Sequence, residues 1–310
     1  MIPGGVALAL LVAGVLTGIP ESAAAPAALP GSQTAGLQVL ITTSELVVGE
    51  NRFAFGLLKD GTLLADARVV VRIYDIREAE ARLTAEVPVP YLALEVVEQG
   101  HRVHIHPDGT RHLHEAATDV QGIHVAHVTF PRSGPWGLEV VAQHRDGLSE
   151  IARLSVVAVE GSRTPAPGMP APRSRNLIAS DVSDLSKIDS SDPPDPRLHR
   201  IRIADAIAQG KPQVIVFATP RYCVSRVCGP VVDVVRTLIP TYGHRVAFIH
   251  QEIGQRASLE KFSPTVEEWN LRTEPWIFLV DRDGVIRARF EGVTTRRELE
   301  AALKQMLGPR

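Results

Sequence analysis

Gln213-Val214-Ile215-Val216-Phe217-Ala218-Thr219 is a run of β-formers that leads into Pro220-Arg221-Tyr222-Cys223-Val224-Ser225-Arg226-Val227-Cys228-Gly229-Pro230. Past that point Val231, Val234, Val235 and Leu238 recur at helical spacing. The chain's only two cysteines, Cys223 and Cys228, therefore lie where a strand feeds a helix. Two thiols this close can form an intramolecular disulfide. The unpaired N–H groups and dipole of a helix N-terminus favour a thiolate, and Arg221 and Arg226 bring positive charge next to the pair. A disulfide that closes so short a loop gains less chain entropy than a long-range bridge, which favours a redox role over a purely stabilising staple.

The same alternation continues on both sides of this stretch. Ile203 and Ile207 share one helical face, which Gly210 and Pro212 end. Pro240 is expected to stop the cysteine-led helix at Ile239, and Arg245–His250 reads as a strand. Ser263-Pro264 supplies an N-cap and first-turn proline for a helix through Trp269. Trp276–Val280 and Val285–Phe290 flank Asp281-Arg282-Asp283-Gly284, a hairpin signature. Thr295 and Glu298 make a capping box for a last helix with Leu299, Ala302, Leu303 and Met306 on its apolar face. This order predicts an α/β domain with a mixed sheet over residues 197–310.

The N-terminal half has a different texture. Leu37–Thr42, Arg52–Leu58, Ala67–Tyr74, His124–Phe130, Trp136–Ala142 and Ile151–Val159 are short β-rich runs separated by turn-prone segments. Residues 36–160 are thus expected to form an all-β sandwich, with Trp136 in its core. Residues 161–196 are rich in Ser, Pro, Asp and Arg and read as an extended, disordered linker. At the start, Val6–Ile19 is almost wholly apolar and Ser22-Ala23-Ala24-Ala25-Pro26 offers a small-residue cleavage site. Residues 1–25 read as a signal peptide or an uncleaved membrane anchor, which makes the protein exported and extracytoplasmic, where disulfides persist. A formal net charge of −2 gives no electrostatic case for nucleic acid.

Seven of the 11 histidines fall between 101 and 127, and four of them, His104, His106, His112 and His114, bracket Pro107-Asp108-Gly109. A three-residue hairpin loop pairs His104 with His112 and puts all four on one face, whereas a two-residue Asp-Gly loop splits them between faces. On one face they form a candidate site for Cu or Zn, since imidazole suits both. The plain alternative is a solvated polar hairpin. His124 and His127 point to opposite faces of their strand, so at most one can join. His144, His199, His244 and His250 stand alone and read as structural or surface residues.

The order of elements, with cysteines ending the first strand and Thr273-Glu274-Pro275 opening the hairpin, resembles the thioredoxin fold over roughly Leu198 to Leu307. The Trp276–Gly284 segment is similar to that of extracytoplasmic thioredoxin-like proteins. Gly134-Pro135-Trp136-Gly137-Leu138-Glu139-Val140 loosely resembles a late strand of small bacterial immunoglobulin-like domains. Together these imply an α+β two-domain chain, an immunoglobulin-like sandwich followed by an α/β thioredoxin-like domain.

The resemblance implies that Pro275 is a cis-proline against the active-site disulfide and that thiol–disulfide exchange with protein thiols and disulfides needs no organic cofactor. The family usually has two residues between its cysteines, and this chain has four. Either Cys223 is the nucleophile and Cys228 the resolving thiol, or Cys228-Gly229-Pro230 overlays the family's Cys-Gly-Pro-Cys with Val231 in place of the second cysteine. Strand, aromatic residue and then cysteine favour the first register. Thr219-Pro220 before Cys223 also resembles atypical two-cysteine peroxiredoxins, although the threonine is one residue too far for their Thr-x-x-Cys spacing. The expected function is exported thiol–disulfide exchange. Its rivals are metal handling by the histidine hairpin with the cysteine pair, and peroxide reduction.

Overall fold

In Arg68–Asp75 every second residue is buried, as a strand with one face on a core requires. The computed structural model, which describes residues 36–98, 101–105, 110–117, 120–254 and 262–308, is a strand-rich α+β protein. Its first 13 strands are β1 (Leu37–Ile41), β2 (Leu46–Val47), β3 (Gly49–Lys59), β4 (Thr62–Leu63), β5 (Arg68–Asp75), β6 (Arg82–Val89), β7 (Tyr91–Ala93), β8 (Val97–Glu98), β9 (His101–Ile105), β10 (Arg111–Ala117), β11 (Gly122–Phe130), β12 (Gly134–Gln143) and β13 (Ser149–Val159). One sheet runs β1-β3-β11-β7 with β4 on β3, a second β2-β13-β12-β5-β6, and a third β10-β9-β8.

The first two sheets share one core. Phe53, Phe55, Leu57, Val128 and Phe130 meet Val71, Ile73, Trp136, Leu138 and Val140 in it. Trp136 lies 5.4 Å from Phe130, with the Arg132 guanidinium 4.4 Å from its ring centre. Strand β6 was not anticipated from sequence, because Pro88 interrupts its β-forming run. It occupies the edge of its sheet, where a missing N–H is tolerated.

The C-terminal part comprises α1 (Ile203–Ala208), β14 (Gln213–Phe217), α2 (Cys228–Tyr242), β15 (Ala247–Gln251), α3 (Pro264–Glu268), β16 (Trp276–Val280), β17 (Ile286–Glu291) and α4 (Arg296–Leu307). The sheet order is β15-β14-β16-β17, with β14 parallel to β15 and antiparallel to β16. Every residue of β14 is buried, consistent with a central strand covered on both faces. One face packs Ile215, Phe217 and Phe278 against Ile203, Val266 and Trp269. The other packs Val214, Val216 and Ile277 against Val231, Val235 and Leu238 of α2 and Leu299 of α4.

That second cluster also contains Ala54, Leu94, Val96, Ile123 and Val125 from the N-terminal part. The β1-β3-β11-β7 sheet is thus a middle layer, buried against its partner sheet on one face and against the helices on the other. Polar contacts close the seam: Arg52 Nε is 2.8 Å from Glu298 Oε1, and Ser44 donates its N–H to Glu291 at 2.8 Å.

Two sequence expectations need correction. Pro240 does not stop α2 but lies inside its final turn: it removes one bond, the one its own N–H would have made to Arg236 O, while Gly243 N–H closes the helix on Ile239 O at 2.8 Å. Residues 161–196 form few ladders, as their prolines require, yet they are not a free tether. Gly168 and Ala171 donate to Ile286 O and Gly284 O, both at 2.8 Å, and Trp269 Nε1 donates to Ser174 Oγ at 3.0 Å. Asn176 Oδ1 then accepts the Ile203 N–H at the start of α1. The segment is a strap bonded across the C-terminal sheet's edge and helices. Among the described residues no helix is long and apolar enough to cross a membrane. Residues 1–25, read as a signal or anchor, lie outside the described residues.

Candidate functional site

Strand β14 delivers the chain to a tight loop. Buried Thr219 accepts the N–H groups of Tyr222 (3.1 Å) and Cys223 (3.0 Å) on its carbonyl oxygen, and its Oγ1 accepts from Ile253 N–H at 3.2 Å. Cys223 O then accepts Arg226 N–H at 3.1 Å, with Arg226 in the left-handed region at φ +58°. The loop returns Cys228 as the first residue of α2, and the two cysteines are joined as a disulfide with Cα atoms 6.0 Å apart.

The two sulfurs are not equivalent. Cys228 is fully buried, whereas Cys223 keeps 8 % exposure between half-exposed Tyr222 and exposed Val224. An incoming group meets Cys223 first. Cys223 Sγ lies 3.2 Å from Ser225 Oγ. Glu274 presents a carboxylate oxygen within 4.8 Å of both sulfurs. Burial raises the Glu274 carboxyl above its ordinary pKa, against hydrogen bonds to Thr219 that lower it. The Glu274–Pro275 peptide is cis and immediately precedes β16. Trp276, the next residue, belongs to the core: it is buried, stacks on Phe278 at 5.8 Å and donates from Nε1 to Thr273 Oγ1 at 3.0 Å.

No protein-family model and no curated protein matches this chain. The functional reading therefore rests on the residues themselves.

The N-terminal part also packs on the start of α2. Arg102 of β9 holds Asp233 Oδ2 of α2 through Nη2 at 2.7 Å and Nε at 3.1 Å. Its guanidinium lies where a side chain at Gly229 would go, since a Cβ there would fall 2.8 Å from Arg102 Nη1. A side chain at position 229 would therefore push aside the Arg102 guanidinium. Asp233 Oδ1 also accepts from Arg236 Nη1 at 3.0 Å, and Arg236 donates to Pro193 O of the strap at 3.1 Å.

The histidines divide. In the β9–β10 ladder His104 pairs with His112 and Ile105 with Arg111, the register of the three-residue loop. His114 falls between Leu113 and Ala117, where the register shifts, and His106 lies outside the described residues. His124 is buried between Phe55 (5.6 Å, stacked) and Tyr91 (5.1 Å, edge-on), and neither ring nitrogen has a hydrogen-bond partner among the described residues. Burial pushes its pKa down to about 4. His127 is exposed and 3.4 Å from Glu50.

Sequence reading missed one cluster. His199 and His250, taken as isolated, converge with Asp189 in the interior. Burial opposes the charge on Asp189, but the two imidazoles outweigh it and hold the carboxyl well below its ordinary pKa. The three lie 10 and 51 residues apart and share no periodic pattern, so only the fold unites them.

Proposed function

We propose that the protein is a thioredoxin-like thiol–disulfide oxidoreductase acting outside the cytoplasm, with Cys223 as nucleophile and Cys228 as resolving thiol. The single observation that carries this reading is the asymmetric disulfide at the start of α2: Cys223 keeps 8 % exposure, whereas Cys228, the first residue of the helix, has none. The β15-β14-β16-β17 order and the cis peptide before Pro275 agree with the thioredoxin resemblance, and the two packed sheets of residues 36–160 with the immunoglobulin-like one.

In the reductive direction the Cys223 thiolate attacks one sulfur of a client disulfide, and the other client sulfur leaves as a thiolate. Cys228 then attacks Cys223 Sγ, releases the second client thiolate and re-forms the intramolecular bond, so two electrons pass to the client. Glu274 is near enough to take the Cys228 proton through one water. In the opposite direction the closed pair oxidises a client dithiol by the reverse steps.

The test is the reduction potential of the pair, measured in glutathione buffers by counting alkylated thiols. A value of roughly −270 to −120 mV is expected, its position in that range indicating reductant or oxidant, and a value below about −300 mV would mark a structural bridge.

A second reading has one observation in its favour, the His104–His112 pairing in the hairpin whose β9 also carries Arg102. On this reading the hairpin handles copper and the reduced cysteines, with Glu274 nearby, hold or protect a client's metal. Copper should then shield Cys223 and Cys228 from alkylation in the reduced protein; unchanged alkylation rates would dismiss it.

A further inference from the structure

Asp189, His199 and His250 come from the strap, from the turn after Leu198 and from β15, and each is at most 1 % exposed. Asp189 is fixed in place, since Oδ1 accepts Ser191 N–H at 2.9 Å and Oδ2 accepts Asp195 N–H at 3.0 Å. Its oxygens also face the two imidazoles, Oδ2 at 3.1 Å from His199 Nε2 and Oδ1 at 3.4 Å from His250 Nδ1.

His250 Nε2 lies 2.9 Å from Ala218 O. A carbonyl oxygen only accepts, so Nε2 carries the hydrogen, and the neutral ring has only a lone pair at Nδ1. Nδ1 lies 3.4 Å from Asp189 Oδ1, too far for a well-formed hydrogen bond. Two electron-rich atoms buried face to face need a positive charge between them. A proton on Nδ1 would draw the pair to about 2.7–2.9 Å, the length of a charge-assisted N–H···O bond. A zinc ion bonded at about 2.0–2.1 Å instead sets tetrahedral ligand atoms about 3.3 Å apart. The 3.1 Å contact of His199 is a hydrogen bond, while the 3.4 Å gap at His250 Nδ1 leaves that buried nitrogen open to a cation.

We propose that Asp189, His199 Nε2 and His250 Nδ1 form a Zn²⁺ site. The donor atoms all lie within 4.8 Å of one another, and two imidazoles with one carboxylate is a zinc-type ligand set. Ala218 O on the distal His250 nitrogen and the Ser191 and Asp195 amides on the carboxylate are the outer contacts that orient such ligands. The fourth position is left to water or an oxygen ligand from the adjoining cavity of about 820 Å³, which Asp189, His250, Glu252, Arg221 and Tyr222 help to line. Because Ala218 leads directly into Thr219 and the cysteine loop, a bound ion braces the base of that loop.

The experiment uses the full chain with its disulfide closed, stripped by chelator and titrated with Zn²⁺ calorimetrically and with Co²⁺ optically. One ion per chain is expected, with a cobalt spectrum that lacks any thiolate charge-transfer band. Binding should survive a His104→Asn, His112→Asn double variant, which removes hairpin ligation. It should weaken more than about 100-fold in His250→Gln and in Asp189→Asn, since even outer-contact losses cost about 10–100-fold. If those variants fail to fold, stoichiometry and spectrum in the wild type and in the hairpin variant still decide. Failure of the wild type to bind, or binding lost with the hairpin histidines, would overturn the site and leave the cluster as a proton-held ion pair.

Discussion

Cys223→Ser is expected to reduce disulfide exchange to the uncatalysed background, while Cys228→Ser should accumulate a stable mixed disulfide through Cys223. The reasoning starts from exposure. Cys228 has no accessible surface, so a client disulfide cannot reach it while the loop keeps its shape, whereas Cys223 is presented between Tyr222 and Val224. Without Cys228 the mixed disulfide has no internal thiol to resolve it. A peptide carrying a fluorescence-quenched disulfide gives the rate, and intact mass gives the adduct. Neither loss should come from unfolding, because opening so short a loop costs about 2 kcal/mol by the chain-entropy relation. Wild-type rates in Cys223→Ser would dismiss the nucleophile. An adduct formed by Cys223→Ser and not by Cys228→Ser would exchange the two roles.

A second large effect concerns acid. His124 is enclosed by Phe55 and Tyr91, and its pKa falls from 6.5 to about 4 through burial. The unfolded chain holds this imidazole at its ordinary value, so between pH 6.5 and about 4 the unfolded state binds the extra proton. The fold therefore has its full stability from this group above pH 6.5 and loses it progressively on acidification. The loss approaches about 3 kcal/mol once the pH passes below the folded value. Carboxylates titrate in the same window, so the wild type is compared with His124→Leu by urea unfolding at several pH values. The stability difference between the two should shift by about that amount in favour of the leucine variant at low pH. Parallel curves would mean that the imidazole is hydrated or paired.

Much of this architecture was legible in the sequence where local chemistry decides structure. The strand into Cys223, the Ser263-Pro264 helix start, the Thr295–Glu298 capping box and the Asp281–Gly284 turn all follow from neighbours a few residues apart. What stayed hidden depends on distant partners. Pro88 argues against a strand until β6 is known to be an edge. The prolines of 161–196 correctly deny a ladder there, but nothing local reveals that Ser174, Asn176 and Asp189 have partners in α1, α3 and β15 or beside them. The cysteines of the candidate site were readable because they are five residues apart, and Glu274 was not, because it joins them only across the sheet.

The Arg102 guanidinium over Gly229 gives the cysteine pair a front and a back. On the back, cation, carboxylate and helix are tied together. On the front, the exposed side chains of Tyr222 and Val224 flank a cysteine that keeps only 8 % exposure. A rigid, convex partner would rest on those side chains and hold its own disulfide out of reach. On the proposed function, a client sulfur would have to be carried on a narrow, projecting or unfolded segment to reach Cys223.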